Sequence, residues 1–383
     1  MPSLQIIDSG PIYRNPNPGY QHTSAYFSHI AQISDQEIFC AYNQGHAMSA
    51  TNLSFYQARS TDGGKTWGEH SLIYDGAQDD RPYTYHSPFL TRMRDGLMVI
   101  VAFRVDRSDP DHPIFNATTG GLTPLDLILL RSEDDGHTWS PPELLTFPDD
   151  LVITPTSDIV ELDDGTWLLP FDHWNAFDDP SPHKPRTTAF FSTDKGKTWG
   201  DPVTFADGSA EGKGFWHGRL DKLEDGRLFV LFQSVRFDEE GKRHWIPLHY
   251  SYGSADGRTW TEPIATNLEK GKTNDVAGLG DGRFLAIYSD RDSGQPGMRV
   301  VLSQDGGETW DLNNEILVWD ATGRDRLGVS SPTTFPRSSD TIAFGAPTAD
   351  RLLDGDVMVT FWCTEMSITH IRYARLRVKP PGA

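Results

Sequence analysis

Cysteine is almost missing from this sequence: its 383 residues contain two, Cys40 and Cys363. That excludes a disulfide framework and a cysteine-built zinc site. Both stand in apolar, strand-like runs, Ile38-Phe39-Cys40-Ala41 and Thr360-Phe361-Trp362-Cys363, where buried thiols are expected. Long hydrophobic runs are missing too, and none approaches the roughly 20 residues that a membrane helix needs. The N-terminus shows no basic segment followed by an apolar core, so a cytoplasmic location is the default expectation; a mature secreted form is also compatible. Basic charge is scarce, with 34 Lys and Arg against 54 Asp and Glu, a formal net charge of −20. Such a surface disfavours nucleic acid and anionic membranes as partners. An anionic substrate stays open, because a few arginines in one cleft outweigh a distant surface. Disorder is excluded by an aromatic content of 11%.

What is present is repetition. The octet Ser60-Thr61-Asp62-Gly63-Gly64-Lys65-Thr66-Trp67 returns at Ser132–Trp139, Ser192–Trp199 and Ser303–Trp310. A degenerate copy ends at Trp260, with Ala255 in the place of the aspartate and Asp256 one position later. The spacing of these tryptophans suits the blades of a propeller. The octet reads as a tight hairpin: a short carboxylate accepts amides across the turn, glycine supplies a positive φ, and tryptophan opens the next strand.

A second repeat is offset from the first: an apolar strand, an Asp-Gly turn and another apolar strand. The turns are Asp95-Gly96, Asp164-Gly165, Asp225-Gly226, Asp281-Gly282 and Asp354-Gly355, and a further unit runs from Ser28 through Asp35 to Cys40. Six inner hairpins, five of them followed by an octet hairpin, predict an all-β, six-bladed propeller of four-stranded antiparallel blades, a single domain over residues 1–383. The last blade lacks a strand, which Leu4 to Tyr13 can donate to close the ring.

The octet resembles the Asp-box of the sialidase superfamily. In that family the box is structural and lies on the face away from the active site, so none of its aspartates is assigned to catalysis. The Asp-Gly turns share its end of the propeller. The opposite end collects the starts of first strands and the ends of second strands. First strands contribute His86, Thr156, Asp158, Trp216, His217, Asn274 and Asp275; second strands contribute Asn43, Gln44, Arg104, Asp106, Asp172, His173, Trp174, Gln233, Arg236, Asp290 and Arg291. The Asp320–Asp340 loop adds Arg324, Asp325 and Arg326. Aromatic faces suit sugar rings, and arginine suits a carboxylate.

The resemblance implies an arginine triad, a tyrosine nucleophile with a glutamate, and an aspartate acid/base. This chain departs from that pattern. His217 stands at the glutamate's place, Ala346 at the tyrosine's and Gln233 at one arginine's, and Tyr26-Phe27-Ser28 lacks the first-blade arginine. The candidate catalytic groups are therefore His217, His86, Asp172 and Asp275, with histidine as general acid or base. Asn43, Arg104, His173, Trp174, Trp216, Gln233, Arg236, Asn274, Arg291 and Arg326 are candidate substrate contacts. No cofactor is expected, and no metal-ligand spacing is seen. The leading expectation is an exo-acting glycoside hydrolase. A lyase on uronate glycans with a histidine base and a non-catalytic glycan-binding propeller remain alternatives.

Overall fold

The computed structural model describes residues 3–147, 151–322 and 343–379. Its strands form six separate sheets arranged as blades. Blade 1 is β2 (Ser24–Gln32), β3 (Ile38–Gly45), β4 (Ser54–Ser60) and β5 (Gly68–Leu72). Blade 2 is β6 (Tyr83–Arg92), β7 (Met98–Asp106), β8 (Asp126–Ser132) and β9 (Glu143–Leu144). In blade 3 the first strand is broken into β10 (Ile153–Pro155) and β11 (Val160–Glu161), both paired with β12 (Trp167–His173), then β13 (Arg186–Ser192) and β14 (Gly200–Asp207). Blade 4 is β15 (Lys213–Lys222), β16 (Leu228–Phe237), β18 (His249–Gly253) and β19 (Ile264–Ala265), with an extra short strand, β17 (Arg243–Trp245), on the far end of β16. Blade 5 is β20 (Gly271–Gly278), β21 (Phe284–Asp290), β22 (Gly297–Ser303) and β23 (Ile316–Asp320).

Blade 6 closes as expected. β24 (Phe344–Arg351), β25 (Val357–Glu365) and β26 (Ile368–Lys379) are completed by β1 (Ser3–Tyr13), which pairs antiparallel with β26 from Ser3 opposite Lys379 to Tyr13 opposite Ile371. Arg375 fastens the seam, donating to the Gly63 carbonyl of the neighbouring blade at 2.8 Å.

Second strands are continuous apolar runs because blades cover both of their faces. Met98 to Ala102 and Leu228 to Phe232 have no exposed surface. Each large core joins two neighbouring blades: one holds Val99 and Val101 of blade 2 with Trp167, Leu169 and Phe171 of blade 3. Each such side chain contributes about 1.5–3 kcal/mol on burial. Cys40 and Cys363 are buried, unbridged thiols within this packing.

The octet hairpins work as their residues predict. Asp62 accepts from the amides of Lys65 and Thr66, at 3.0 and 2.9 Å, and from the Thr66 hydroxyl at 2.6 Å, while Ser60 accepts from the Gly64 amide at 2.8 Å. Those hydrogen bonds hold the Asp62 carboxyl down at about 2. The degenerate box is different from its reading in the sequence. Counted from Ser254 the aspartate keeps its place, and Asp256 is hydrogen-bonded by the Ser254 hydroxyl at 2.5 Å, as Asp62 is by Ser60 at 2.9 Å. The turn is one residue shorter, and Trp260 still donates to the Gly257 carbonyl at 2.8 Å.

Candidate functional site

Every inner strand is interrupted at the same level. The ladder shifts register between Tyr26 and His29, His86 and Phe89, Trp216 and Arg219, Gly271 and Asn274, and Gly345 and Thr348. In blade 3 the break lies between β10 and β11. A bulge re-aims the residue it carries. In four blades that residue has a left-handed backbone: Phe27 (φ 52°), Ser87 (55°), His217 (49°) and Ala346 (42°). Non-glycine residues hold such a conformation only where their surroundings impose it, at roughly 1–3 kcal/mol each. Two second-strand side chains impose it. Asn43 accepts from the Ser87 amide of the next blade at 2.8 Å, and Asp172 accepts from the His217 amide of its next blade at 2.8 Å.

Asp172 does more than cap a bulge. The oxygen that takes the His217 amide also lies 3.1 Å from the ring Nδ1 of His217, and Thr187 donates to the other oxygen at 3.2 Å. Asp172 is 1% exposed, whereas the His217 side chain is 40% exposed. A carboxylate this close to Nδ1 favours the tautomer with its proton there, which leaves Nε2 as the basic nitrogen. Nε2 makes no hydrogen bond to any described residue. The fold thus brings together His217 and Asp172, an oriented imidazole with a backing carboxylate.

A row of rings runs beside this pair. Trp174 stacks on His183 at 5.3 Å, and His183 on Trp216 at 5.8 Å. Trp216 meets the His217 ring edge-on at 6.2 Å. Phe115 stands against Trp174, and Trp245 against Trp216. Arg243 lies over both Trp216 and Trp245, and Lys272 sits 4.4 Å from the Trp245 ring while paired with Asp292 at 2.7 Å.

Other candidates are placed apart from this pair. His86 is buried, stacked on Phe103 at 5.0 Å, and burial, with Arg107 nearby, pushes its imidazole down to about 3. Its Nε2 has no partner among the described residues. Such a ring is a neutral spacer at physiological pH. Asn43 spends its amide on backbone, donating to the Tyr85 carbonyl at 2.8 Å. Arg104 is held inside blade 2 by Asp126 at 3.0 Å and Asp79 at 3.3 Å, over the Tyr83 ring. His173 faces the other side of its strand and contacts Thr188 at 2.9 Å; burial, with Arg186 adding to it, lowers it to about 4. Arg236 is exposed on the β16 end. Gln233 and Asn274 are buried, each with one amide oxygen unpartnered among the described residues. Arg291 donates to the Phe344 carbonyl at 2.9 Å, its Nε is unpartnered among the described residues, and desolvation lowers it to about 10. Arg326, with Arg324 and Asp325, lies outside the described residues.

Asp275 is two residues further down its strand than the bulge level. It belongs to a polar plug in the channel that residue types alone did not reveal. His29 of blade 1 reaches Asp158 of blade 3 across the axis at 3.0 Å. Desolvation in this plug pushes Asp275 up to about 7, against the pull of Arg219, with Asp158 adding to the rise. Asp350 and Asp221 are raised as well, desolvation being the largest cause. These residues share one parity of the inner strands, a signal hidden by the bulge above them. Below them a cavity of about 420 Å³ opens at the Asp-Gly end, lined by the charged side chains of Arg92, Asp158, Glu161, Asp221, Lys222, Asp350 and Arg351 together with apolar ones. The His217–Asp172 pair and the ring row lie at the opposite end, which is where the candidate site is placed. Among the described residues no three His, Cys, Asp or Glu side chains are grouped to hold a metal ion.

Comparisons fit this architecture. The BNR repeat-like domain family matches residues 36–325. No protein of curated function matches the sequence significantly. Among solved structures, a protein of unknown function from Dyadobacter fermentans superposes with a TM-score of 0.73 at 20% identity, covering 99% of this chain and 100% of its own. A Hadza microbial sialidase, Hz136, gives 0.65 at 17% identity over 96% of this chain and 68% of its own. The intramolecular trans-sialidase of Ruminococcus gnavus gives 0.59 at 13% identity, over 97% of each chain.

Proposed function

The chain belongs to the BNR repeat-like domain family, and from that premise we propose that it is a carbohydrate-active enzyme that cleaves a glycosidic bond with His217 as its proton-transfer group. The observation that carries this reading is the His217–Asp172 pair at the axis, 3.1 Å apart beside an aromatic row. Asp172 keeps the ring oriented, and Nε2 exchanges the proton with water or with the glycosidic oxygen. Asp172 is enclosed and committed to His217, so a pair of free carboxylates flanking the bond is not the mechanism put forward.

A second reading, β-elimination on a uronate-containing glycan, is favoured by Arg291. Its desolvated guanidinium has an unpartnered Nε among the described residues, which suits a substrate carboxylate. In that reaction His217 removes the proton beside the carboxylate. The C–H electrons become the new C=C bond and the glycosidic oxygen leaves with the bonding pair.

A panel of aryl glycosides and uronate polysaccharides separates these readings. Hydrolysis yields new reducing ends without near-ultraviolet absorbance, and elimination yields both. His217→Ala abolishes either one while the protein stays folded. Near-full activity in that variant sinks the assignment of His217. Binding without turnover on any substrate leaves a glycan-binding propeller.

A further inference from the structure

Two segments at the front end exceed the four-strand plan. Residues 107–125 leave blade 2 after β7 and dock on blade 3, where Leu122 bridges Ala176 and the Thr119 hydroxyl donates to the Phe177 carbonyl at 2.6 Å. β17 adds its three residues to the outer end of β16, pairing Arg243 with Phe237 and Trp245 with Val235. Each segment delivers one large exposed aromatic, Phe115 at 48% and Trp245 at 36%. Neither belongs to a buried core of its neighbouring blades. Their folding value is therefore small, yet both rings are held in fixed edge-on contacts, Phe115 on Trp174 at 5.8 Å and Trp245 on Trp216 at 6.4 Å. Exposed apolar surface kept in a fixed orientation beside a site marks a binding surface.

The two rings end a continuous series, Phe115, Trp174, His183, Trp216, Trp245, whose inner members stack within 28° of parallel. His217 follows Trp216 in the chain. Trp216 itself is 5% exposed, so the stacked middle of the row is a buried support and its ends carry the exposed faces. We propose that Phe115 and Trp245, held at the two ends of this row, are the outer parts of an extended sugar-binding surface, so that the ligand is an oligosaccharide whose further rings lie along Phe115 and Trp245 when one unit reaches His217. The C–H faces of pyranose rings are the apolar, flat partners that exposed aromatic rings accommodate. The proposal rests on the reading of the front end as a glycan site, but it concerns binding length and not the chemistry.

The test uses the full chain carrying His217→Asn, a residue type that tolerates the left-handed backbone, so that ligands are not consumed. Calorimetric titration with oligogalacturonides and with cello-oligosaccharides, as monomer, dimer and hexamer, is expected to show affinity rising with length in at least one series. Trp245→Ala and Phe115→Ala, both at exposed positions, are each expected to lose roughly tenfold of the hexamer affinity and none of the monomer affinity. Equal affinity for monomer and hexamer, unchanged hexamer affinity in both variants, or no binding in either series overturns the proposal. Turnover by the unmodified protein is read separately: length-independent turnover overturns the extended surface and leaves the catalytic reading standing, while length-dependent binding without turnover does the reverse.

Discussion

A single carboxylate oxygen of Asp172 serves His217 twice, taking its backbone amide at 2.8 Å and standing 3.1 Å from its ring Nδ1. Backbone bulge and ring orientation thus depend on the same atom. Asp172→Asn keeps an oxygen for the amide but loses the charge behind the ring. The expected outcome is a nearly unchanged melting temperature and a fall in turnover on the order of 10²- to 10⁴-fold, read by steady-state kinetics beside thermal melts. A loss of melting temperature as large as the loss of activity would assign Asp172 to structure alone.

Asn43 is the internal control. It holds the Ser87 bulge as Asp172 holds that of His217, with no ionisable group at stake. Asn43→Ala leaves a buried amide without its acceptor and is expected to cost about 1–3 kcal/mol of stability. Turnover per folded molecule should stay within about twofold of the unmodified protein's, within the spread of effects at distant sites. Denaturant titration with active-site-normalised kinetics checks this, and a selective loss of turnover would move Asn43 into the site.

Stability should depend on pH through the channel. Asp275 is raised to about 7 in the folded chain, above its ordinary value of 3.8. A group raised on folding favours the native state while protonated, fully so below its unfolded pKa, and that advantage is lost as pH rises through its folded pKa. The melting temperature should therefore decline between about pH 4 and pH 7. Asp275→Asn should flatten that decline and raise the melting temperature at alkaline pH. Unchanged pH dependence in the variant would assign the effect to Asp350 or Asp221, which are raised in the same plug.

Asp-box carboxylates act in the opposite direction. Asp194 is held low by the Thr198 hydroxyl and amide, and Asp134 is held at about 2 by the Thr138 hydroxyl and amide. Groups lowered on folding stabilise the chain above their unfolded pKa and lose that contribution as pH falls toward 2. Asp194→Ala should lower the melting temperature by on the order of 2 °C near neutral pH, with turnover unchanged. A drop in turnover with unchanged melting would contradict a structural role.

Gly345 gives a test of Arg291 that leaves the arginine in place. A Cβ at this position would stand 2.5 Å from Nη2 of Arg291. Gly345→Ala should displace the guanidinium and raise KM for a carboxylated substrate by roughly tenfold, as expected for a lost charge-assisted contact. KM for a neutral glycoside should stay as it was. Equal effects on both substrates would remove Arg291 from carboxylate recognition.

The blades were legible because their signals are local: each octet carries its own hydrogen-bond donors and acceptors, and each second strand opens on an apolar run. Ring closure by β1 was legible from a strand count. The site was legible only in part, because the bulge changes the parity of every inner strand at the level that matters. Alternation puts His86 and His217 on equal terms, yet His86 precedes its bulge and is buried against Phe103, whereas His217 is the bulged residue itself. The same parity change concealed Asp350 and Asp221 from a reading of strand ends. Arg243, Trp245 and His183 lie on segments outside the repeat, so no periodicity pointed to them.

Closure by β1 also sets an order of events in time. β1 leaves the ribosome long before β26, its only strand partner among the described residues, and at typical synthesis rates it waits on the order of tens of seconds for that partner. Throughout that interval blades 1 to 5 can form around a ring that is still open. Asp8 and Pro11, which sit within β1, make the waiting strand a poor template for strangers. The last blade is therefore a clasp that shuts only on a finished ring, and a chain released early would carry five blades and two unmatched edges.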